Sequence, residues 1–278
     1  MPTMGAGASV FASSSVGWEL QRAEQMILGT YGDTVSIETK NKALHIFGHG
    51  RDVTTAEQTV AVFDGGDAAA AHETLLTSDG ITHLSSSSGS DTHTVSVEGH
   101  TISGDDLTFV VQTATLTGQT AVALTTPLAR CSKITNTGTV DSVGVVYAHE
   151  GATIVAGVPD TSSEIHCQYD AAGHNRSHKG ATSISSVDYL IITEIVLSLH
   201  DTASLEAHLE LQTKSTTGVW LDSFEYGINS VGTTTMTLQD HPYLIVPKNH
   251  DLRFVVEMAS GSADAITTHL SGYLASVI

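Results

Sequence analysis

Histidine is the residue whose number and spacing could do chemistry in this chain. There are 15, and two groups stand out: His45 with His49, and His166-Cys167 followed by His174 and His178. A metal site would need three or four such ligands converging at about 2.0–2.3 Å, with a second layer of hydrogen bonds orienting each imidazole. His174-x-x-x-His178 makes a ligand pair only on a helix, and the breakers around it, Val158-Pro159-Asp160 and Ala172-Gly173-His174-Asn175, point to a loop. The metal candidates are therefore His166, His174 and His178. Against them stands a plainer account, in which His replaces Lys and Arg as a polar strand and loop residue, as His208 does between Glu206 and Glu210. That account is favoured, and no metal or cofactor is expected.

Two acidic turns, Asp64-Gly65-Gly66-Asp67 and Gly104-Asp105-Asp106, could offer carboxylates to Ca²⁺, which needs six to eight clustered oxygens. Neither follows the EF-hand or the glycine-rich repeat pattern, so a turn role is favoured. The chain has no G-x-S-x-G, H-E-x-x-H, P-loop or G-x-G-x-x-G string. Ser, His and Asp are plentiful, yet nothing singles out one Ser, and no catalytic residue is expected. A hydrolase on a β-scaffold remains a rival that would require His, Asp and Ser within about 3 Å of one another. Trp18, Trp220, Phe224 and Tyr226 could form a sugar-stacking platform, as in carbohydrate-binding β-sandwiches, the mark of a second rival, a glycan-binding protein. With aromatics at 5% of the chain, core packing of Trp220 and Phe224 is favoured.

The elements that must position these residues read as strands. Leu205, Ala207, Leu209 and Leu211 alternate with Glu206, His208, Glu210 and Gln212, which sends the first set to a core and the second to water. Leu252, Phe254, Val256 and Met258 repeat the pattern. His241-Pro242-Tyr243 and Val246-Pro247-Lys248-Asn249 are expected to interrupt the ladder, as Pro does in a sheet. Earlier in the chain, short β-rich runs such as 94–98 and 107–111 lie between turn signals at 87–91, 103–106 and 137–139. That spacing predicts a sandwich or barrel of antiparallel pairs. Residues 1–43 open on Gly, Ala and Ser and offer one helical patch, Trp18 to Leu28. They are expected to be either a frayed terminus or an arm that orders on a neighbouring subunit.

Composition bounds the function. Thirty acidic against 11 basic residues leave a formal charge of −19, so broad contact with nucleic acid phosphates or an anionic membrane would be repulsive. The longest greasy stretch, Tyr189 to Leu199, is broken by Thr193 and Glu194 and is far short of the ~20 residues a membrane helix needs. The N-terminus lacks a charged, then apolar, leader, so synthesis in the cytoplasm is expected. Cys131 and Cys167 are too few for a disulfide framework and are expected to be buried, reduced thiols.

The run His45-Ile46-Phe47-Gly48-His49-Gly50-Arg51-Asp52-Val53, then Val62-Phe63-Asp64-Gly65-Gly66, Val95-Ser96-Val97-Glu98-Gly99 and Leu116 to Leu124, resembles virion structural proteins of tailed, many of them marine, bacteriophages. The C-terminal half, from Tyr189-Leu190-Ile191 through Pro247 to Leu252 and the final strand, is similar in the same order. The chain departs from the pattern at Gly99-His100-Thr101-Ile102, where members continue with an Asp-Asn-rich turn. The resemblance implies a non-enzymatic building block of the particle, with no catalytic residue to carry over. The expected fold is all-β: two tandem antiparallel, jelly-roll-like sandwiches behind an N-terminal extended arm. The arm spans 1–43, the first sandwich 44–155, a junction loop 156–180 and the second sandwich 181–278. The expected partners are the major capsid protein and the chain itself, as a homodimer or homotrimer decorating the capsid, with no nucleic acid and no membrane.

Overall fold

The computed structural model describes residues 75–151, 153–170, 175–177, 179–200, 204–231, 234–258 and 263–277, together with Ala23, Met26, Ile27, Thr30, Gly32, 35–36, 42–53 and 58–59. In chain order the strands are β1 (Val35–Ser36), β2 (Lys42–Val53), β3 (Gln58–Thr59), β4 (Ile81–Ser86), β5 (Thr94–Ser103), β6 (Asp106–Thr115) and β7 (Val122–Leu128). There follow β8 (Arg130–Asn136), β9 (Val146–His149), β10 (Ile154–Val155), β11 (Val158–Pro159), β12 (Ile165–Tyr169) and β13 (Ala181–Ser183). The last six are β14 (Asp188–His200), β15 (Ser204–Ser215), β16 (Leu221–Val231), β17 (Thr234–Val246), β18 (His250–Met258) and β19 (Ala263–Val277). The chain is all-β, and every described pairing is antiparallel.

The long strands form one sandwich. One sheet runs β2-β19-β14-β17, with β1 also on β19, and the facing sheet runs β13-β18-β15-β16, with β3 also on β18. Read in chain order, β2, β3, β14, β15, β16, β17, β18 and β19 take the places of an eight-strand jelly roll, two Greek keys closing over one core. The predicted stripes face inward: Ala207, Leu209 and Leu211 meet Leu252, Phe254 and Val256, and all are essentially inaccessible.

The second sandwich packs β12-β9-β4-β7 on β6-β5-β8. Its core includes Ile81, Leu84, Val95, Val97, Leu128 and Ile134. Cys131 and Cys167 lie in the same core as free thiols, as expected.

The division of the chain differs from the expected tandem. β2 and β3, read as the opening of the first sandwich 44–155, belong to the C-terminal jelly roll, where β2 pairs β19 from Lys42 opposite Leu274 to Val53 opposite Ala263. The jelly roll is therefore discontinuous, and the other sandwich is inserted between its β3 and β13. The expected junction loop 156–180 is largely part of that insert, since β12 pairs with β9. Alternation along a strand specifies which face is buried but not which strand lies beside it.

Two further differences have local causes. β17 runs through Pro242 rather than stopping there: it is an edge strand, and its register jumps opposite Ile192/Glu194, so the missing N–H removes no ladder bond. Ala23 and Ile27, in helical backbone, are fully buried on Tyr189, Ile191, Ile245 and Ala275, on the outer face of the jelly roll. This part of the expected arm thus orders on its own chain. It also explains why Tyr189-Leu190-Ile191-Ile192 lacks alternation: the strand is covered on both faces there.

Candidate functional site

The two sandwiches are joined by a buried ion pair. Arg130 on β8 and Asp251 on β18 are 4% and 1% exposed, and Arg130 donates from Nε to Asp251 Oδ1 at 2.8 Å and from Nη2 to Oδ2 at 3.0 Å. The guanidinium also donates to the Leu76 and Ala129 carbonyls, and Ser183 Oγ donates to Asp251, so both charges are satisfied on several sides. Gly99 allows β8 to approach: a Cβ there would lie 2.1 Å from the Arg130 carbonyl oxygen, a clash no backbone shift of ordinary size relieves. The tip of the β5–β6 hairpin is clamped as well. Ser186 N–H donates to Leu107 O, Leu107 N–H to Asn249 Oδ1, and Thr216 Oγ to Asp105 O.

Beside this joint lies a cleft of about 790 Å³. Its floor is the outer face of the insert's three-stranded sheet. On β5, Val95 and Val97 point to the core, so Glu98 and His100 must point the other way. The register sets Phe109 directly opposite His100 and Val111 opposite Glu98, with Lys133 of β8 on the far side of Glu98. Lys133 Nζ donates to Glu98 Oε1 at 3.1 Å, and the His100 and Phe109 rings meet edge to face at 5.3 Å. The opposite wall is jelly roll, including His45, Ser183, Ser185 and Asp188. Burial pushes the His100 imidazole down to about 4, against the pull of Asp251, so the ring is neutral at physiological pH. His100 is 3% exposed and its Nδ1 has no hydrogen-bond partner. A buried unpaired polar atom of this kind costs about 1–3 kcal/mol.

A second histidine group lies in the insert, on β4, β9 and β12. His83 pairs directly with His149, their rings stacked at 6.0 Å between centroids, and His166 sits at a bulge opposite. His149 is fully buried, accepts the Gly151 N–H at Nδ1, and leaves Nε2 without a partner. Burial, and then the neighbouring His83 and His166, push it down to about 4. His166 Nε2 is 2.9 Å from Glu150 Oε1. Among the described residues no group of three His, Cys, Asp or Glu side chains is placed to hold a metal ion. The other metal candidates, His174 and His178, lie outside the described residues, as do the side chain of His49 and the turn 64–67.

A Ser–His contact does form. Ser142 Oγ is 2.9 Å from His93 Nε2 and 2.7 Å from Tyr169 OH, and these last two are 3.1 Å apart. The nearby Asp91 carboxylate is engaged elsewhere, accepting from Ser86 Oγ, Val143 N–H and Gly144 N–H. The triangle therefore lacks the acid that orients a catalytic imidazole. Burial raises the Tyr169 hydroxyl to about 12, so it stays protonated. Ser142→Ala is expected to lower stability by about 1–2 kcal/mol, seen as a lower urea midpoint at unchanged slope.

The remaining sequence candidates have structural work. The Gly104-Asp105-Asp106 turn closes the β5–β6 hairpin, with Gly104 at φ +61° and Asp106 accepting from Asn249. Phe224 packs against the jelly-roll core, and the Trp220 ring lies 4.1 Å under the Arg253 guanidinium, while Trp18 is outside the described residues. The stacking platform is thus divided between core and cation contact. The alternation left one thing unseen: Arg253, expected on the wet face, is 5% exposed because Trp220 and Gln212 cover it.

No family model matches the chain, and no curated protein matches it. Among solved structures, the CBM22-1–GH10 modules of Clostridium thermocellum xylanase 10B, complexed with xylohexaose, align at 12% identity and a TM-score of 0.18. That alignment covers 82% of this chain but only 28% of the xylanase chain. Infectious bursal disease virus of the Gx strain aligns at 9% identity and a TM-score of 0.21, over 92% of this chain and 77% of that one. The VP2 subviral particle of the same virus aligns at 11% and 0.20, over 91% and 76%. Scores this low carry neither a shared fold nor a function to this chain.

Proposed function

We propose that this chain is a non-enzymatic structural protein of a tailed-phage virion, a capsid decoration or head-associated protein that docks on the major capsid protein. The observation that carries this reading is the strand order β2-β19-β14-β17 over β3-β18-β15-β16, a jelly roll with a whole sandwich inserted into one connection. Jelly rolls recur in capsid proteins, and the argument from them is one of analogy between folds. The surface suits the role. Beside and along the edge strand β16, Val219 is 72% exposed, Leu221 63% and Tyr226 38%, an apolar stretch available to a partner. The charge of −19 argues against packaged DNA as that partner.

Light scattering on the purified 29.1 kDa chain is expected to give a dimer or trimer, and the chain is expected to co-sediment with heads purified from particles that lack it. A monomer that stays in the supernatant would overturn the proposal.

A further inference from the structure

We propose that the cleft between the inserted sandwich and the jelly roll binds an uncharged carbohydrate chain, with Phe109 stacked on a sugar ring and Glu98 and Lys133 hydrogen-bonded to its hydroxyls. The inference is independent of whether the chain sits on a virion.

The chemistry follows from the rungs of the floor. Phe109 is 40% exposed on the floor, beside the apolar Val111 and next to the polar Glu98 and Lys133, which offers an aromatic surface to the C–H face of a pyranose with hydroxyl partners at its rim. One rung away, Glu98 and Lys133 stand 3.1 Å apart and half-exposed, an acceptor and a donor spaced for neighbouring hydroxyls. His100 stands edge-on to Phe109 and is itself buried, which holds the aromatic ring in place. The volume, about 790 Å³, lies within the range of ligand pockets, roughly 300–1,000 Å³, and accommodates several sugar rings.

An uncharged ligand fits better than an anion. Of the cleft's cations Lys133, Arg176 and Lys179, the first is matched by Glu98 and the last by the carbonyls of Cys131 and His166. Asp188 also lines the cleft, its carboxylate accepting from Ser185 and Ser276, and the chain as a whole repels anions. The strand that carries Glu98, β5, is paired on both sides and offers a peptide no free backbone edge. The clamp of Arg130–Asp251 and the β5–β6 hairpin holds the two walls in place, so little ordering has to accompany binding.

The test uses the full chain with cellotriose, maltotriose, mannotriose and tri-N-acetylchitotriose, and a heparin tetrasaccharide as the charged comparison, read by saturation-transfer NMR and titration calorimetry. At least one neutral trisaccharide is expected to bind. Phe109→Ala is expected to weaken it about fivefold or more, and Glu98→Gln about threefold. Val219→Ala, on the distant β16 patch, is expected to leave binding unchanged. Failure of every neutral probe, preference for the heparin fragment, or binding that survives both cleft variants would overturn the assignment. Phe109 is solvent-facing and Glu98→Gln is isosteric, so both variants are expected to melt with the parent; should Phe109→Ala unfold, Glu98→Gln alone decides.

Discussion

Replacing Arg130 with methionine is expected to cost about 3–5 kcal/mol of stability, because the change leaves the Asp251 carboxylate charged, buried and short of its main partner. The ring of bonds around the pair makes the loss large. Asp251 would keep only the Ser183 hydroxyl, and the Leu76 and Ala129 carbonyls would each lose a donor. Urea denaturation measures it, and the double variant Arg130→Met/Asp251→Leu is expected to recover most of the loss, since removing both charges also removes both desolvation penalties. The same single variant should expose the connections between the sandwiches to limited proteolysis, as the pair spans β8 of the insert and β18 of the jelly roll. A loss below about 1 kcal/mol, the range of exposed pairs, would show that water reaches the pair and that the joint is not dry.

Stability is also expected to fall as the pH is lowered from about 6.5 towards 4, through His149 and His100. Each has a folded value of about 4 against an ordinary 6.5, in both cases chiefly because burial disfavours the charged ring. Between these values the unfolded chain binds the proton and the folded chain does not, so proton uptake favours unfolding. The contribution is complete above about 6.5, shrinks as the pH falls and is exhausted near 4. A shift of this size corresponds to about 3 kcal/mol for each ring at most. Carboxylates titrate at the lower end of the same window, so the comparison of parent with His149→Leu isolates the imidazole. The variant should show a flatter dependence between pH 6.5 and 4, and an unchanged slope would refute the role given to His149.

Much of the local structure was legible along the chain. The alternations at 205–211 and 252–258 identified core-facing strands, and the same parity on β5 puts His100 opposite Val95 and Val97. What misled was adjacency. His45 and His49 look like the start of a first domain, yet their strand closes the jelly roll against β19. Arg253 reads as a surface cation and lies under Trp220 instead.

Along the chain one reads strands, the core-facing side of β15 and of β18, and an acidic surface, because side-chain direction alternates and charge is additive. That one sandwich is inserted in the other, that Arg130 meets Asp251, and that a neutral His100 and Phe109 share the floor of a cleft came from the folded chain alone. Backbone ladders are chemically alike for every strand, so partner choice is made by the packing of the whole molecule. The state of a buried charge or imidazole then depends on neighbours brought from distant parts of the chain.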